Sequence, residues 1–218
     1  MTNEVLYKKS NLEPLDEFME LAPEIFQAFV SFNELSLTEG VLSAKFKECI
    51  AIAIAHITGC PYCIELHVNQ FKKKGGTKEE MSEAIMVATS LKAGSALAHG
   101  VNALNSYDDT EREILYKQSY FDRLKEFADL NKPPFSSFVQ FDQLSIKPGS
   151  LSTKEKELIA VASAHTTGCP YCIDLHTKRA KKFGATKEEI GEAVFVSTAL
   201  KAGSALAHGV NALQSYDS

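Results

Sequence analysis

The sequence repeats itself at an offset of 109 residues. Positions 48–108 and positions 157–217 are identical at 43 of 61 sites when the chain is aligned with itself. All six histidines obey the offset, and four pairs of phenylalanines upstream of residue 48 stay in register as well. Self-similarity at a fixed period is the signature of a repeat architecture. The sequence therefore predicts a tandem duplication, with repeat 1 over residues 1–109 and repeat 2 over residues 110–218.

No flexible linker separates the two copies. The junction Asp108-Asp109-Thr110-Glu111 contains no run of glycine, serine or proline and leads directly into a helical pattern. A chain of 218 residues is also long enough to bury a substantial core. We therefore expect the two halves to pack against each other.

Apolar residues in both copies recur at three- and four-residue steps, which is the period of an amphipathic helix. Residues 13–32 predict either one such helix or a broken pair of helices, and Pro133-Pro134 in the second copy favours the break. The phenylalanines of this stretch are expected in the core or in a subunit interface rather than in a ligand pocket. No alternation of period two extends over a useful length, so the predicted fold class is all-α.

Local signals mark where the remaining helices begin and end. Alanine-rich helices are predicted over residues 43–58 and 152–167, and the glycine after each is the expected left-handed C-cap. The next helix begins at once, with a cysteine at the N-cap and a proline at the first helical position. Three capping boxes predict further helix starts, and two of them open long helices that reach about residues 104 and 213. The boxes are Ser152-x-x-Glu155, Thr77-x-x-Glu80 and Thr186-x-x-Glu189.

Composition excludes several classes of function. The chain is 44% hydrophobic and carries a net charge of −5, with no basic stripe of the kind that binds nucleic acid. No apolar run approaches the roughly 18 residues of a membrane span, and the first ten residues lack the apolar core of a secretory signal. We expect a cytoplasmic protein. In that compartment paired cysteines are more often catalytic or metal-binding than structural.

One motif occurs once in each copy and concentrates the reactive side chains. Residues 56–67 read His-Ile-Thr-Gly-Cys-Pro-Tyr-Cys-Ile-Glu-Leu-His, and residues 165–176 read His-Thr-Thr-Gly-Cys-Pro-Tyr-Cys-Ile-Asp-Leu-His. Four of the five cysteines and four of the six histidines lie in these two segments. A purely structural role does not readily explain that concentration. The fifth cysteine, Cys49, corresponds to Leu158 and is expected to be a buried, inert thiol.

The spacing within the motif favours thiol chemistry. A cysteine in the first turn of a helix feels the partial positive charge of the helix N-terminus, which lowers the pKa of its thiol. A C-x-x-C pair there can close and reopen a small disulfide. Cys63 and His67 lie one turn apart on the same helix face. A neutral imidazole in that place can accept the thiol proton, and the imidazolium then stabilises the thiolate.

Each preceding helix carries an acid that can orient this histidine. Glu48 and Glu157 stand twelve residues before the first cysteine of their motif. If the two helices form an antiparallel hairpin, a relay Cys63–His67–Glu48 runs away from the turn, which is the arrangement of a catalytic triad with a cysteine nucleophile.

Four further histidines are candidates with two interpretations. In one interpretation His56 and His165 belong to the proton relay or to the wall of its pocket. In the other they are histidines at a helix C-terminus that complement the helix dipole. His99 and His208 are expected to be interface histidines, because they lie in a helix rich in glycine, alanine and serine.

The pattern Glu-x11-Cys-x-x-Cys-x3-His resembles the signature of the alkylhydroperoxidase AhpD-like family, within the carboxymuconolactone decarboxylase superfamily. Both copies match it completely, as Glu48, Cys60, Cys63 and His67 and as Glu157, Cys169, Cys172 and His176. The segment Lys-Ala-Gly-Ser-Ala-Leu-Ala-His, present in both copies, is also similar to this family. The resemblance implies an AhpD-like helical fold, internally duplicated, and thiol-dependent reduction of hydroperoxides.

The resemblance also implies a role for each residue. The second cysteine of each pair reacts with the peroxide, and the first resolves the resulting sulfenic acid as a disulfide. The glutamate and the histidine relay protons. The implied partners are a hydroperoxide and a thiol or dithiol reductant, without a cofactor or a resident metal. The namesake decarboxylases of the superfamily lack the cysteine pair, which disfavours decarboxylation.

Two alternatives to a peroxidase remain open at this point. One is a general thiol–disulfide oxidoreductase. The other is a non-enzymatic interaction module stabilised by zinc, since His56, Cys60, Cys63 and His67 offer two nitrogens and two sulfurs, a set that suits tetrahedral zinc.

The duplication bears on assembly as well. Single-repeat members of the resembling family assemble as trimers or hexamers, which implies that one such helical unit leaves apolar surface to cover. Two fused copies keep the same contact surfaces and can imitate a dimer of single repeats. We therefore expect a homo-oligomer, with a trimer of pseudo-sixfold character favoured, since closed rings of like interfaces are the usual outcome.

Overall fold

The computed structural model describes residues 7–12, 15–109 and 111–217. All regular structure in this part of the chain is helical, with ten α-helices and two short 3-10 helices. The all-α prediction is confirmed. Residue 110, where repeat 2 is predicted to begin, and residues 1–6, where a secretory signal would begin, lie outside the described residues. The exact repeat boundaries therefore stay a prediction.

The helices follow each other in the same order in both copies. Repeat 1 contains α1 (Leu15–Leu21), α2 (Pro23–Leu37), α3 (Ala44–Thr58), α4 (Pro61–Lys73) and α5 (Lys78–Asp108). Repeat 2 contains α6 (Leu124–Leu130), α7 (Lys132–Ile146), α8 (Thr153–Thr167), α9 (Pro170–Lys182) and α10 (Lys187–Tyr216). The 3-10 helices Lys9–Leu12 and Gln118–Arg123 precede α1 and α6.

Most helix ends lie where the local signals predict them. All three capping boxes form, and the glycines that end α3 and α8 adopt φ angles of 70° and 71°. Residues 15–32 of this stretch form the broken pair of helices, with α2 beginning at Pro23, and residues 13–14 lie outside the described residues. Two details differ from expectation. The chain breaks at Asn131, because Pro133-Pro134 are accommodated in the first turn of α7, where a missing N–H costs nothing. Helices α5 and α10 continue to Asp108 and Tyr216, a turn beyond the predicted ends.

Helices α3 and α8 form the centre of the molecule. Residues 46–55 of α3 and residues 156–164 of α8 are all buried, and the two helices pack against each other. Their alanines allow close approach, and the larger side chains, such as Ile52 and Leu158, have no exposed surface. Burying one such side chain stabilises the fold by about 1.5–3 kcal/mol. The expectation that the halves pack together is therefore confirmed.

The long helix of each repeat crosses to the other repeat. Helix α5 packs against α7, α8 and α9 of repeat 2, and α10 packs against α2, α3 and α4 of repeat 1. Helices α4 and α9 carry the cysteine motifs at their N-termini. The crossing therefore brings each motif under the long helix of the opposite copy.

Two reciprocal ion pairs join the repeats. The Lys47 ammonium lies 3.1 Å from the carboxylate of Glu192 on α10, and the Lys156 ammonium lies 3.0 Å from that of Glu83 on α5. Both lysine side chains are buried. Each glutamate also accepts two backbone N–H groups from the loop that precedes the lysine's helix, residues 41–42 and 150–151.

Among the described residues, α10 is the one helix long and apolar enough to cross a membrane by length and composition. It contains no continuous apolar run of that length, because serines, histidine and Lys201 interrupt it, but its mean hydropathy reaches 1.2. The expectation that no apolar run approaches 18 residues holds for this helix, which meets the criterion only by its length and mean hydropathy. In the structure α10 packs against five α-helices of the same chain, α1, α2, α3, α4 and α8.

Candidate active site

The motif cysteines lie at the N-termini of α4 and α9, as the spacing predicts. Cys60 and Cys169 are the N-cap residues, and their sulfurs accept the backbone N–H of Cys63 at 3.1 Å and of Cys172 at 3.3 Å. The first pair forms a disulfide, whereas Cys169 and Cys172 are free thiols. The same fold therefore accommodates the oxidised and the reduced form of the motif.

A buried histidine–glutamate pair lies behind each cysteine pair. His67 Nδ1 lies 2.8 Å from Glu48 Oε2, and His176 Nδ1 lies 2.7 Å from Glu157 Oε2. All four side chains are buried. Because the carboxylate accepts the Nδ1 proton, it fixes the ring orientation and leaves Nε2 to exchange a proton with another group. The structure thus brings together the acid and the histidine that the sequence analysis paired, while their catalytic roles stay a prediction.

The second cysteine of each pair opens into a cavity. The cavity of site 1 measures about 210 Å³ and is lined by Cys63 and His67, and that of site 2 measures about 310 Å³ and is lined by Cys172 and His176. Cys60 and Cys169 have no exposed surface and line neither cavity. A small molecule that enters a cavity therefore meets the second cysteine and the histidine first.

The cavity walls correct one expectation about the phenylalanines. Phe29 lines the cavity of site 1, although it was expected in the core or in a subunit interface, and its counterpart Phe138 lines the cavity of site 2. They reach the cavities because glycines in the crossing helices leave room for the rings. A Cβ atom at Gly94 would lie 3.3 Å from the Phe138 ring.

Each site is built from both repeats. The far wall of site 1 comes from α10 of repeat 2, and that of site 2 comes from α5 of repeat 1. The α10 residues are Ala199, Leu200, Gly203, Leu206 and Ala207, and the α5 residues are Ser90, Leu91, Gly94, Leu97 and Ala98. Neither half of the chain forms a complete site alone.

The two thiols of site 2 share one negative charge. The hydrogen bond from the Cys172 thiol lowers the pKa of Cys169 to about 6. Burial opposes this shift, while the Cys172 backbone N–H, His99 and Ser95 add to it. The pKa of Cys172 is raised, first by that bond to Cys169, then by burial, and also by the carboxylate of Asp142. At neutral pH the first cysteine is therefore the thiolate and the second is the thiol.

His99 and Ser95 reach site 2 from the opposite repeat. His99 was expected to be an interface histidine, and its Nδ1 is indeed 2.9 Å from the Tyr116 hydroxyl, but it also stabilises the Cys169 thiolate. The sequence held one signal for this role. Residues 91–104 and 200–213 are identical in the two copies, whereas six of the thirteen positions that precede them in the helix differ.

His56 and His165 lie away from both cysteine cavities. Their Nδ1 atoms are 2.8 Å from the backbone carbonyls of Ile52 and Val161 in the last turns of their helices. Neither residue lines the cavity of site 1 or site 2. Cys49 is buried, and burial raises its pKa to about 12, as expected for an inert thiol.

The tetrahedral zinc set considered from the sequence is not assembled. Among the described residues, no group of three or more His, Cys, Asp and Glu side chains is placed to hold a metal ion.

Comparison with known proteins places these features in a family. The model of the Carboxymuconolactone decarboxylase family matches the chain twice, over residues 23–106 and 135–215. "Uncharacterized protein 4 in cox locus" of Paracoccus denitrificans is 38% identical over 97 residues, which is 44% of this chain and 87% of that protein. An uncharacterized protein of Cupriavidus necator is 32% identical over 86 residues, which is 39% of this chain and 76% of that protein.

A solved structure has the same fold. It is the crystal structure of a gamma-carboxymuconolactone decarboxylase subunit from Burkholderia xenovorans, with a TM-score of 0.70, 20% sequence identity and coverage of 95% of both chains.

Proposed function

The chain belongs to the carboxymuconolactone decarboxylase family, and on that premise we propose that it is a thiol-dependent peroxidase with two sites. One observation carries the proposal. In both copies the second cysteine and a histidine line one cavity, and the histidine is bonded to a buried glutamate. A nucleophile, a base and a group that orients the base are the three parts that such chemistry needs.

The first step oxidises the second cysteine. The sulfur of Cys63 or Cys172 attacks the terminal oxygen of the hydroperoxide, the O–O bond breaks, and a sulfenic acid and an alcohol form. The histidine takes the thiol proton and returns it to the leaving alkoxide, while the glutamate stabilises the intermediate imidazolium. The oxygen gained by sulfur and the proton gained by the alkoxide balance the step.

The second step closes the disulfide. The thiolate of Cys60 or Cys169 attacks the sulfenic sulfur, the S–O bond breaks, and the departing hydroxide takes a proton from the solvent and leaves as water. The lowered pKa of Cys169 supports this role, because the attacking cysteine is already ionised near neutral pH. A thiol or dithiol reductant then supplies two electrons and two protons, restores both thiols and becomes a disulfide itself.

Access to the sulfurs favours a small oxidant over a protein disulfide. The first cysteines are fully buried and the second cysteines are 6% exposed, at the bottom of cavities of about 210 and 310 Å³. A hydroperoxide enters such a space, whereas a folded protein that presents a disulfide does not. This geometry ranks peroxide reduction above general thiol–disulfide exchange.

A thiol count tests the proposed function directly. The fully reduced protein is treated with one equivalent of cumene hydroperoxide per site, and free thiols, cumyl alcohol and zinc content are measured on the same sample. We expect four of the five thiols to disappear, one alcohol to form per site, and the Cys49 thiol to remain. An unchanged thiol count contradicts the peroxidase, and stoichiometric zinc supports the interaction module.

The proposed proton relay implies that the rate of thiol oxidation depends on its two glutamates. Replacing Glu48 and Glu157 by glutamine is expected to slow thiol oxidation about 100-fold, because loss of a group that supports acid–base transfer costs on this order. Stopped-flow kinetics measures the rate, and circular dichroism checks the fold. The matched control replaces Glu65 by glutamine and Asp174 by asparagine, two acids outside the cavities, and should keep the native rate. Unchanged kinetics in the Glu48/Glu157 variant would show that these acids are structural.

We also propose a homotrimer. Both repeats leave apolar side chains exposed at equivalent positions, which is the surface that a ring of like interfaces would cover. The pairs are Leu21/Leu130, Leu35/Leu144, Met86/Phe195 and Tyr107/Tyr216. Light scattering is expected to give three times the chain mass of 23.9 kDa. The mass of a single chain contradicts this assembly.

A further inference from the structure

The two cavities are nearly copies of each other but differ at a charged position. Nine of the thirteen residues that line site 1 have an identical counterpart at the offset of 109 in the wall of site 2. Three others differ in residue type, as Leu12/Phe121, Asn33/Asp142 and Ala199/Ser90, and the counterpart of Tyr62, Tyr171, does not line site 2. The exchange of Asn33 for Asp142 replaces a neutral amide by a carboxylate.

Asp142 is held in the cavity wall without a counter-ion. Its Oδ1 accepts the hydroxyl of the buried Ser90 at 2.7 Å, across the boundary between the repeats. No cation among the described residues lies within 4 Å of its carboxylate. Arg179, which corresponds to Gln70, lines the same cavity but is not paired with Asp142 at that distance. The carboxylate is near enough to Cys172 to contribute to its raised pKa.

Site 1 has a positive charge near its glutamate–histidine pair that site 2 lacks at the equivalent position. The Lys74 ammonium lies 3.9 Å from Glu48 Oε1, behind His67. The equivalent position in repeat 2 is Phe183, so the lysine has no counterpart beside Glu157. Site 1 thus gains a positive charge near its relay. Site 2 gains two charges in its cavity wall, the Arg179 guanidinium and the Asp142 carboxylate, and the carboxylate is the one that acts on the Cys172 thiol.

We propose that the two sites select hydroperoxides by charge, with Asn33 and Asp142 as the specificity-determining residues. Site 1 accepts organic hydroperoxides that carry a carboxylate as well as neutral ones, whereas site 2 takes neutral hydroperoxides and repels anionic ones. The inference rests on the proposed peroxidase function. Its physical basis is the repulsion between two negative charges inside one cavity, where low-polarity walls weaken solvent screening.

The test compares two probes that differ only in charge. Cumene hydroperoxide is neutral, and its para-carboxylate derivative is an anion of similar shape. Each site is studied alone, in chains that carry Cys169→Ser/Cys172→Ser or Cys60→Ser/Cys63→Ser. The readout is the ratio of the second-order rate constants for the anionic and the neutral probe. The ratio cancels the intrinsic reactivity of the thiol, so the influence of Asp142 on the Cys172 pKa does not affect it.

We expect the ratio at site 2 to be about tenfold lower than at site 1, the order of magnitude for two charges several ångströms apart in a partly solvated cavity. Asp142→Asn should raise the ratio at site 2 about tenfold, and Asn33→Asp should lower it at site 1 by a similar factor. Arg179→Gln serves as the charge control and should lower the ratio at site 2 further, because it removes the cation that lines this cavity.

Each outcome decides a different claim. Equal ratios at the two sites, or a ratio at site 2 that Asp142→Asn leaves unchanged, overturn the charge selectivity and leave the peroxidase intact. If neither single-site chain reacts with cumene hydroperoxide, the proposed function fails and the charge selectivity fails with it.

Discussion

A chain in which Cys63 and Cys172 are both replaced by serine is expected to consume no hydroperoxide at all. These two sulfurs line the cavities beside the relay histidines, whereas the first cysteines are fully buried behind them. A serine hydroxyl is not ionised at neutral pH and is not oxidised by peroxide, so the loss should be complete. Peroxide consumption in the presence of a dithiol such as dithiothreitol measures it.

The matched control replaces the other cysteine of each pair. A chain with Cys60→Ser and Cys169→Ser keeps the nucleophiles and should react once per site, then stop at a sulfenic acid or its over-oxidised products. Dimedone labelling followed by peptide mass spectrometry is expected to find the sulfenic acid on Cys63 and Cys172. Dimedone on Cys60 or Cys169 in the first variant would reverse the assigned roles.

Replacing Glu83 by glutamine is expected to lower the free energy of unfolding by about 3 kcal/mol. The Lys156 ammonium is buried and lies 3.0 Å from the Glu83 carboxylate, which also accepts the backbone N–H groups of residues 150 and 151. Breaking a buried ion pair on one side leaves an uncompensated charge, which typically costs about 3–5 kcal/mol. Urea denaturation monitored by circular dichroism measures the change.

Two further variants separate the ion pair from a general effect of the substitution. Glu79→Gln removes an exposed acid from the first turn of the same helix and should change the free energy of unfolding by less than about 1 kcal/mol. Adding Lys156→Met to Glu83→Gln removes the unpaired charge and should recover part of the loss. A Glu83 variant that is as stable as the Glu79 control contradicts the structural role of the reciprocal ion pairs.

The features of the fold that can be predicted well from the sequence are those formed by contacts between residues close together in the chain. The glycine C-caps, the capping boxes and Pro61 at the first helical position each use contacts within a few residues, so their signals are readable in the chain. The same is true of the pairing of Glu48 with His67, because the short turn at Gly59 forces α3 and α4 into a hairpin. The positions of these side chains can therefore be predicted from local geometry without knowledge of the long-range packing.

The crossing of the long helices could not be predicted in this way. Helices α5 and α10 are rich in alanine, glycine and serine on several faces, so no apolar stripe indicates which partner each face meets. For the same reason the cavities were not predicted, and Phe29 was placed in the core or an interface. The contribution of His99 to the Cys169 thiolate depends on this crossing and was missed with it.

The crossed walls have a consequence for how such a chain can evolve. In an assembly of identical single repeats, a substitution in the gene appears in every site at once. In the fused chain α10 always faces the Cys63 cavity and α5 always faces the Cys172 cavity, so each of these helices forms the wall of one site only. A mutation in α7 or α10 then alters one site and spares the other. Fusion therefore allows a single gene to acquire two substrate ranges without a second duplication.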